Sequence, residues 1–150
     1  MLKETAKKRL SEYNSIIKET DELYRKIAKT LDLSDCTFWI LYILREDSEI
    51  LTQSEICSAI YQPKQTINSA LKKLQNDGYI ELKEMNDRRS KQVVLTLKGK
   101  QLAEKTVDKV IIVEQKALAE LTEEEQKTFI GLFRKYTDLF KNHISELSED

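Results

Sequence analysis

Residues 52–99 read TQSEICSAIYQPKQTINSALKKLQNDGYIELKEMNDRRSKQVVLTLKG, and this stretch decides the fold. Thr52-Gln-Ser-Glu55 is a capping box: a threonine hydroxyl and a glutamate carboxylate three residues on satisfy orphaned backbone donors at a helix start. A short helix to about Ala59 is expected. Pro63 suits the first turn of the next helix, where a missing N–H costs nothing, and Asp77-Gly78 ends it with glycine at the left-handed position. Tyr79 to Lys83 and Gln92 to Leu97 are rich in β-branched and apolar residues, and the polar stretch between them lets them pair as a hairpin.

The second helix of this pair has two faces. At 100° per residue Ile67, Ala70, Leu71 and Leu74 share one arc, whereas Gln65, Asn68, Ser69, Lys72 and Asn76 occupy the other. Amide, hydroxyl and ammonium groups are the side chains that bond base edges and phosphates when a helix lies in a major groove; an ordinary solvated surface carries the same residue types. Arg88 and Arg89 stand at the hairpin tip, where a planar, weakly hydrated guanidinium suits a narrow, electronegative minor groove. Asp87 would repel phosphate, so its role is to hold an arginine in one rotamer. The alternative is a charged turn that keeps a short edge hairpin soluble.

Working outward, Leu10, Tyr13, Ile16, Ile17, Leu23, Tyr24, Ile27 and Leu31 recur at helical spacing and predict one amphipathic helix from about residue 3 to 30. Ser34 caps a second helix that is apolar nearly all round through Phe38, Trp39, Leu41, Tyr42, Ile43 and Leu44, which makes it central. Glu46 to Glu49 forms a polar break, and Ile50-Leu51 suggests a minimal third strand. Thr96 caps a helix expected to run unbroken to about Leu121, with Leu102, Val107, Val110, Ile111 and Leu118 inward. Thr122-Glu-Glu-Glu125 is a second capping box, and it opens a last helix carrying Phe129, Ile130, Phe133, Tyr136, Leu139, Phe140, Ile144 and Leu147. The expected order is α-α-α-α-β-β-α-α.

Composition agrees with a mainly helical chain: 150 residues hold 3 Gly, 1 Pro and 34% charged side chains. The net charge of −1 is unevenly spread, with nine basic and four acidic residues over 62–100, between flanks that are both acidic. A basic island of this kind suggests a local anion-binding surface. With no apolar window of about 18 residues and no secretory run at the N-terminus, the expected location is the cytoplasm and no membrane partner. No Gly-rich phosphate loop, no Ser/Cys–His pairing and no carboxylate cluster at catalytic spacing points to an enzyme, and no catalytic residue or cofactor is expected. Cys36, Cys57 and His143 lack metal-ligand spacing, so no metal is expected; both thiols are most simply reduced and buried, the alternative being a thiolate at Cys36, near a helix start whose dipole favours it.

The run over 52–99 resembles the DNA-binding core of the MarR family of winged helix-turn-helix transcription factors. The pattern T-x-x-x-x-x-L-x-x-G-[YL]-I, then D-x-R, then L-T-x-x-G is met by Thr66, Leu74 (displaced by two), Gly78, Tyr79, Ile80, Asp87, Arg89, Leu95, Thr96 and Gly99. Pro63 stands where many members place a capping serine or threonine. The resemblance implies a mainly α (α+β) fold: one unit over 1–150, with a winged lobe at 34–97 and a helical dimerisation region at 1–31 and 98–150. It implies a homodimer on double-stranded DNA, bound at a pseudo-palindromic operator as a repressor. Lys64, Gln65, Thr66, Asn68, Ser69 and Lys72 become groove or phosphate contacts, Arg89 the wing arginine, Asp87 its orienting partner, and Arg88 and Lys91 phosphate contacts. It also implies a small aromatic or phenolic effector between helices and lobe, for which Tyr13, Ile17, Trp39 and Tyr42 are candidates against plain core packing. A protein-interaction winged helix and a PadR-type regulator are the competing readings.

Overall fold

The computed structural model describes residues 2–46, 51–85, 89 and 91–148. The order is α1 (Leu2–Thr30), α2 (Asp35–Glu46), α3 (Gln53–Ala59), α4 (Lys64–Asn76), β1 (Ile80–Lys83), β2 (Gln92–Leu95), α5 (Leu97–Lys105), α6 (Val107–Ala119) and α7 (Glu123–Ile144), closed by a 3-10 turn at Ser145–Ser148. Contacts gather the chain into two compact units, Met1–Lys109 and Val110–Asp150. Among the described residues no helix is long and apolar enough to cross a membrane.

In the first unit α2 is the hub, packing against α1, α4 and α5. Its apolar circumference explains this: Phe38, Ile40 and Leu41 are fully buried, and Ile40 joins Ile56, Ile67, Leu71, Leu74, Ile80 and Val93 in one core. Ser34 accepts from the Thr37 N–H at 3.2 Å and so caps α2. The Thr52 box forms as expected, with Thr52 Oγ1 accepting from Glu55 N–H (3.2 Å) and Glu55 Oε2 accepting from Thr52 N–H (3.0 Å). Pro63 stands one place earlier than expected, at the N-cap, with φ −56° and ψ 136° and no side-chain bond. At the far end of α4, Gly78 takes φ 80°, and the Gly78 and Tyr79 N–H groups return to Gln75 O (3.0 Å) and Leu74 O (2.9 Å). This pair of bonds is a Schellman ending, and it needs the left-handed residue that glycine supplies.

The hairpin pairs Ile80 with Leu95 and Lys83 with Gln92, antiparallel. Beside it, the third strand expected near Ile50-Leu51 reduces to one antiparallel bridge, Thr52 to Gln92, with the Val93 N–H donating to Leu51 O at 2.8 Å. Ile50 itself lies outside the described residues. Helix, turn, helix and hairpin together make a winged helix-turn-helix.

The single helix expected from Thr96 to Leu121 is instead two. Thr106 leaves helical geometry at φ −123° and ψ −94°, and α6 starts at Val107. Thr106 Oγ1 donates back to Leu102 O (2.7 Å), but Thr20 and Thr137 make the same bond inside unbroken helices, so that bond alone is not the cause. What distinguishes this site is tertiary: Thr106 and Val107 are buried, and Asp108 is gripped by Arg45 of α2 through two bonds of 2.8 and 2.5 Å. The pair anchors the start of α6 to α2 beside the break, and it raises the Arg45 pKa chiefly through the hydrogen bond to Asp108.

In the second unit the Thr122 box is complete, with Thr122 Oγ1 accepting from Glu125 N–H (3.1 Å) and Glu125 Oε1 from Thr122 N–H (3.0 Å). Along α7 the rings of Phe129 and Phe133 lie 6.3 Å apart and those of Tyr136 and Phe140 stack at 6.4 Å. No residue of α7 is buried within the chain.

Candidate nucleic-acid interface

Helix α4 separates its two faces as its periodicity requires. Ile67, Leu71 and Leu74 are buried, and Ala70 is half-buried. Lys64, Gln65, Thr66, Asn68, Ser69, Lys72 and Asn76 are all exposed. Five of these, Lys64, Gln65, Asn68, Ser69 and Lys72, line one shallow open depression along the helix. Thr66 is exposed without joining that lining. The depression therefore offers two ammonium groups, two amides and a hydroxyl, a set able to meet phosphates and base edges together.

The hairpin is tied to both ends of the helix-turn-helix unit, to the C-terminal end of α4 and to the start of α3. On one side Thr96 Oγ1 donates to Gly78 O (2.6 Å), and Lys98 Nζ donates to Asp77 O (2.7 Å) while lying 4.5 Å from the Tyr79 ring centroid. Gly99 is buried at the same crossing, where an added Cβ would fall 1.9 Å from Tyr79 O, so only glycine permits the approach. On the other side the Gln53 N–H donates to Lys91 O at 3.3 Å, next to the Thr52 bridge. Lys91 and Arg89 are exposed. Asp87 and Arg88 lie outside the described residues.

One contact at this surface escaped the sequence reading. The Cys57 thiol of α3 donates to Asn68 Oδ1 of α4 at 3.7 Å. No short motif signals it, because the two residues lie eleven apart on different helices. Cys36 is buried, as expected of a reduced packing thiol rather than of a helix-start thiolate, and burial pushes its thiol above the ordinary 9.0, with Cys57 nearby adding to the effect. Among the described residues no cluster of His, Cys, Asp and Glu could hold a metal, and His143 is exposed, 2.8 Å from Glu146.

The four effector candidates do not form one site within the chain. Trp39 and Tyr42 rings lie 5.3 Å apart, part of an aromatic cluster with Tyr24 and Phe38. Trp39 also lines a cleft of about 350 Å³ between α1, α2 and the α3–α4 turn, with Tyr24, Ile43, Ile60, Tyr61 and the charged Asp21, Arg25 and Asp35. Tyr13, which is half-buried, and Ile17, which is exposed, are not in that lining, and neither is Tyr42.

Comparison with known proteins agrees with this architecture. The MarR family pattern matches residues 31–90. The uncharacterised HTH-type transcriptional regulator YwoH of Bacillus subtilis is 31% identical over 97 residues, 65% of this chain and 70% of that protein. NMB1585, a MarR family regulator from Neisseria meningitidis, superposes with a TM-score of 0.76 at 25% identity, over 92% of this chain and 97% of that one. The structure of the S. aureus MepR–DNA complex has the same fold, with a TM-score of 0.66 at 21% identity over 85% and 93% of the two chains. Sequence pattern, relative and fold agree, and the chain belongs to the MarR family of transcriptional regulators.

Proposed function

We propose that this regulator, which is not an enzyme, binds double-stranded DNA as a homodimer in the cytoplasm and acts as a repressor released by a small molecule. The observation that carries the DNA reading is the polar depression along α4, flanked by a hairpin bonded to both ends of the helix-turn-helix unit. In this reading α4 enters the major groove with Gln65, Asn68 and Ser69 toward base edges, and Lys64, Thr66 and Lys72 toward phosphates. Arg89 reaches the minor groove, Asp87 orients it, and Arg88 and Lys91 meet the backbone. The MepR complex, solved on DNA, is a precedent for this use of the fold.

The dimer is supported by apolar surface the single chain leaves bare. Leu10, Ile16 and Leu23 of α1 are exposed, as are Phe129, Ile130, Phe133, Leu139 and Phe140 of α7. A monomer rarely leaves so many large apolar side chains exposed on its helices, and a second copy covers them most economically. Residues 1–31 and 98–150 are then the dimerisation region and 34–97 the DNA-binding lobe. Two-fold symmetry sets the two α4 helices about 34 Å apart and calls for a pseudo-palindromic operator. The cleft beside Trp39, at about 350 Å³, suits a small aromatic effector.

Sites selected from a random duplex pool test the reading. Arg89→Ala is expected to fold and dimerise but lose most specific affinity. Lys72→Ala is expected to flatten the log–log salt dependence by about 0.9 per lost phosphate contact. Unchanged affinity in the first and an unchanged slope in the second would remove both residues from the interface.

A further inference from the structure

Asn68 stands in the middle of the α4 depression, and its amide has a partner on the neighbouring helix. Its Oδ1 accepts from the Cys57 thiol at 3.7 Å, and Cys57 is half-buried on α3, so the donor is fixed by the core behind it. An amide carries its oxygen and its NH2 on opposite sides of one planar carbon. An oxygen held against α3 therefore turns the NH2 toward solvent, as a pure donor.

The consequence is chemical. Asparagine recognises adenine by a two-pronged contact in which Nδ2 donates to N7 and Oδ1 accepts from the N6 amino group. With Oδ1 drawn toward the thiol, the second prong is weakened, although the oxygen keeps a second lone pair. The NH2 donor still meets N7 of either purine, O6 of guanine or O4 of thymine, so adenine loses the advantage of its second bond while guanine and thymine lose nothing.

Resting on the reading of α4 as the groove helix, we infer that Cys57 is a positioning residue for base specificity: by holding Asn68 Oδ1 it biases the contacted base pair toward guanine or thymine and against adenine. A thiol is a weak donor and its bond is modest, so the bias is a preference, roughly two- to tenfold in the adenine-to-guanine ratio. The role differs from stability, because loss of packing at Cys57 would weaken all sites alike and leave that ratio unmoved.

The experiment is site selection from random duplexes with the wild type, Cys57→Ala, Cys57→Ser and Asn68→Ala, each normalised to its own best site. Asn68→Ala is expected to erase preference at one position per half-site, which identifies the base it reads. At that position Cys57→Ala is expected to raise the adenine share roughly two- to tenfold, and Cys57→Ser, which keeps a donor, to hold the wild-type preference. If Asn68→Ala changes that position but Cys57→Ala does not, the positioning role is overturned while groove reading by α4 stands. If Asn68→Ala changes no position although sites are still selected, Asn68 reads no base and the inference falls with it. Failure of every protein to select any sequence would overturn the DNA reading itself.

Discussion

Gly99→Ala probes how closely the lobe is assembled. An added Cβ would lie 1.9 Å from Tyr79 O and 3.0 Å from both Tyr79 C and Leu95 Cδ2, whereas real Cβ atoms do not approach nearer than 3.0 Å. Backbone must therefore give way by more than an ångström. The carbonyl in the path is not idle: it accepts from Thr96 N–H at 3.1 Å, and Thr96 in turn caps α5 at Gly99 N–H (3.0 Å). Overpacking costs about 1–3 kcal/mol and a lost hydrogen bond about 1 more, against a helix-propensity gain of up to ~1 kcal/mol for alanine. The net expectation is about 1–4 kcal/mol, a sizeable share of a stability of order 5–15 kcal/mol, and a Tm lower by about 3–15 °C. Gly78→Ala is the internal comparison. There φ is 80° but the nearest atom, Lys98 Cδ, is at an ordinary 3.9 Å, so only left-handed strain of about 1–2 kcal/mol applies. Thermal and urea melts followed by circular dichroism at 222 nm read both. Gly99→Ala melting with the wild type, or less destabilised than Gly78→Ala, would refute the close-approach argument.

Asp108→Ala strands Arg45, whose side chain is 28% exposed, and is expected to cost about 1–3 kcal/mol; in a double-mutant cycle with Arg45→Met the second change should recover much of that loss, and strict additivity would deny the coupling. Glu125 is held below its ordinary 4.5 by the Thr122 N–H and then the Thr122 hydroxyl. A depressed carboxylate stabilises above its unfolded value and loses that contribution as pH falls through its folded one, so the cap weakens below about pH 4.5. Helicity at 222 nm should accordingly fall further in the wild type than in Glu125→Gln over that acid range, and parallel curves would exclude the cap as the source. Phe140→Asp, which charges an apolar face where Phe140 is 58% exposed, is expected to convert the proposed dimer to monomer by light scattering, and a surviving dimer would take α7 out of the interface.

Much of this lobe can be read locally because its boundaries are local chemistry. Thr52 with Glu55, Thr122 with Glu125, Thr96 and Asp77-Gly78 each act within four residues, and each ends or starts an element where expected. The two faces of α4 follow from periodicity in the same way. The break at Thr106 does not: Leu102, Val107, Val110 and Ile111 keep helical spacing across it, and the ion pair beside it joins residues 63 apart. The same holds for the site. Exposed polar residues on one helix are legible, but the Cys57 thiol behind Asn68 arises only when α3 is laid on α4. The cleft beside Trp39 brings one face of α1, with Asp21, Tyr24 and Arg25, to Tyr61 of the α3–α4 turn, and no spacing rule predicts that meeting.

The Thr52 bridge has a bearing on binding cost. One residue caps α3 with its side chain and pairs with Gln92 through its backbone, so the root of the β finger is fastened to the helical pair before any ligand arrives. Ordering a loose finger at the moment of association would spend part of the interaction energy on lost conformational freedom. Fastened at its base, it meets a double helix already aimed, and more of each contact is left to distinguish one sequence from another.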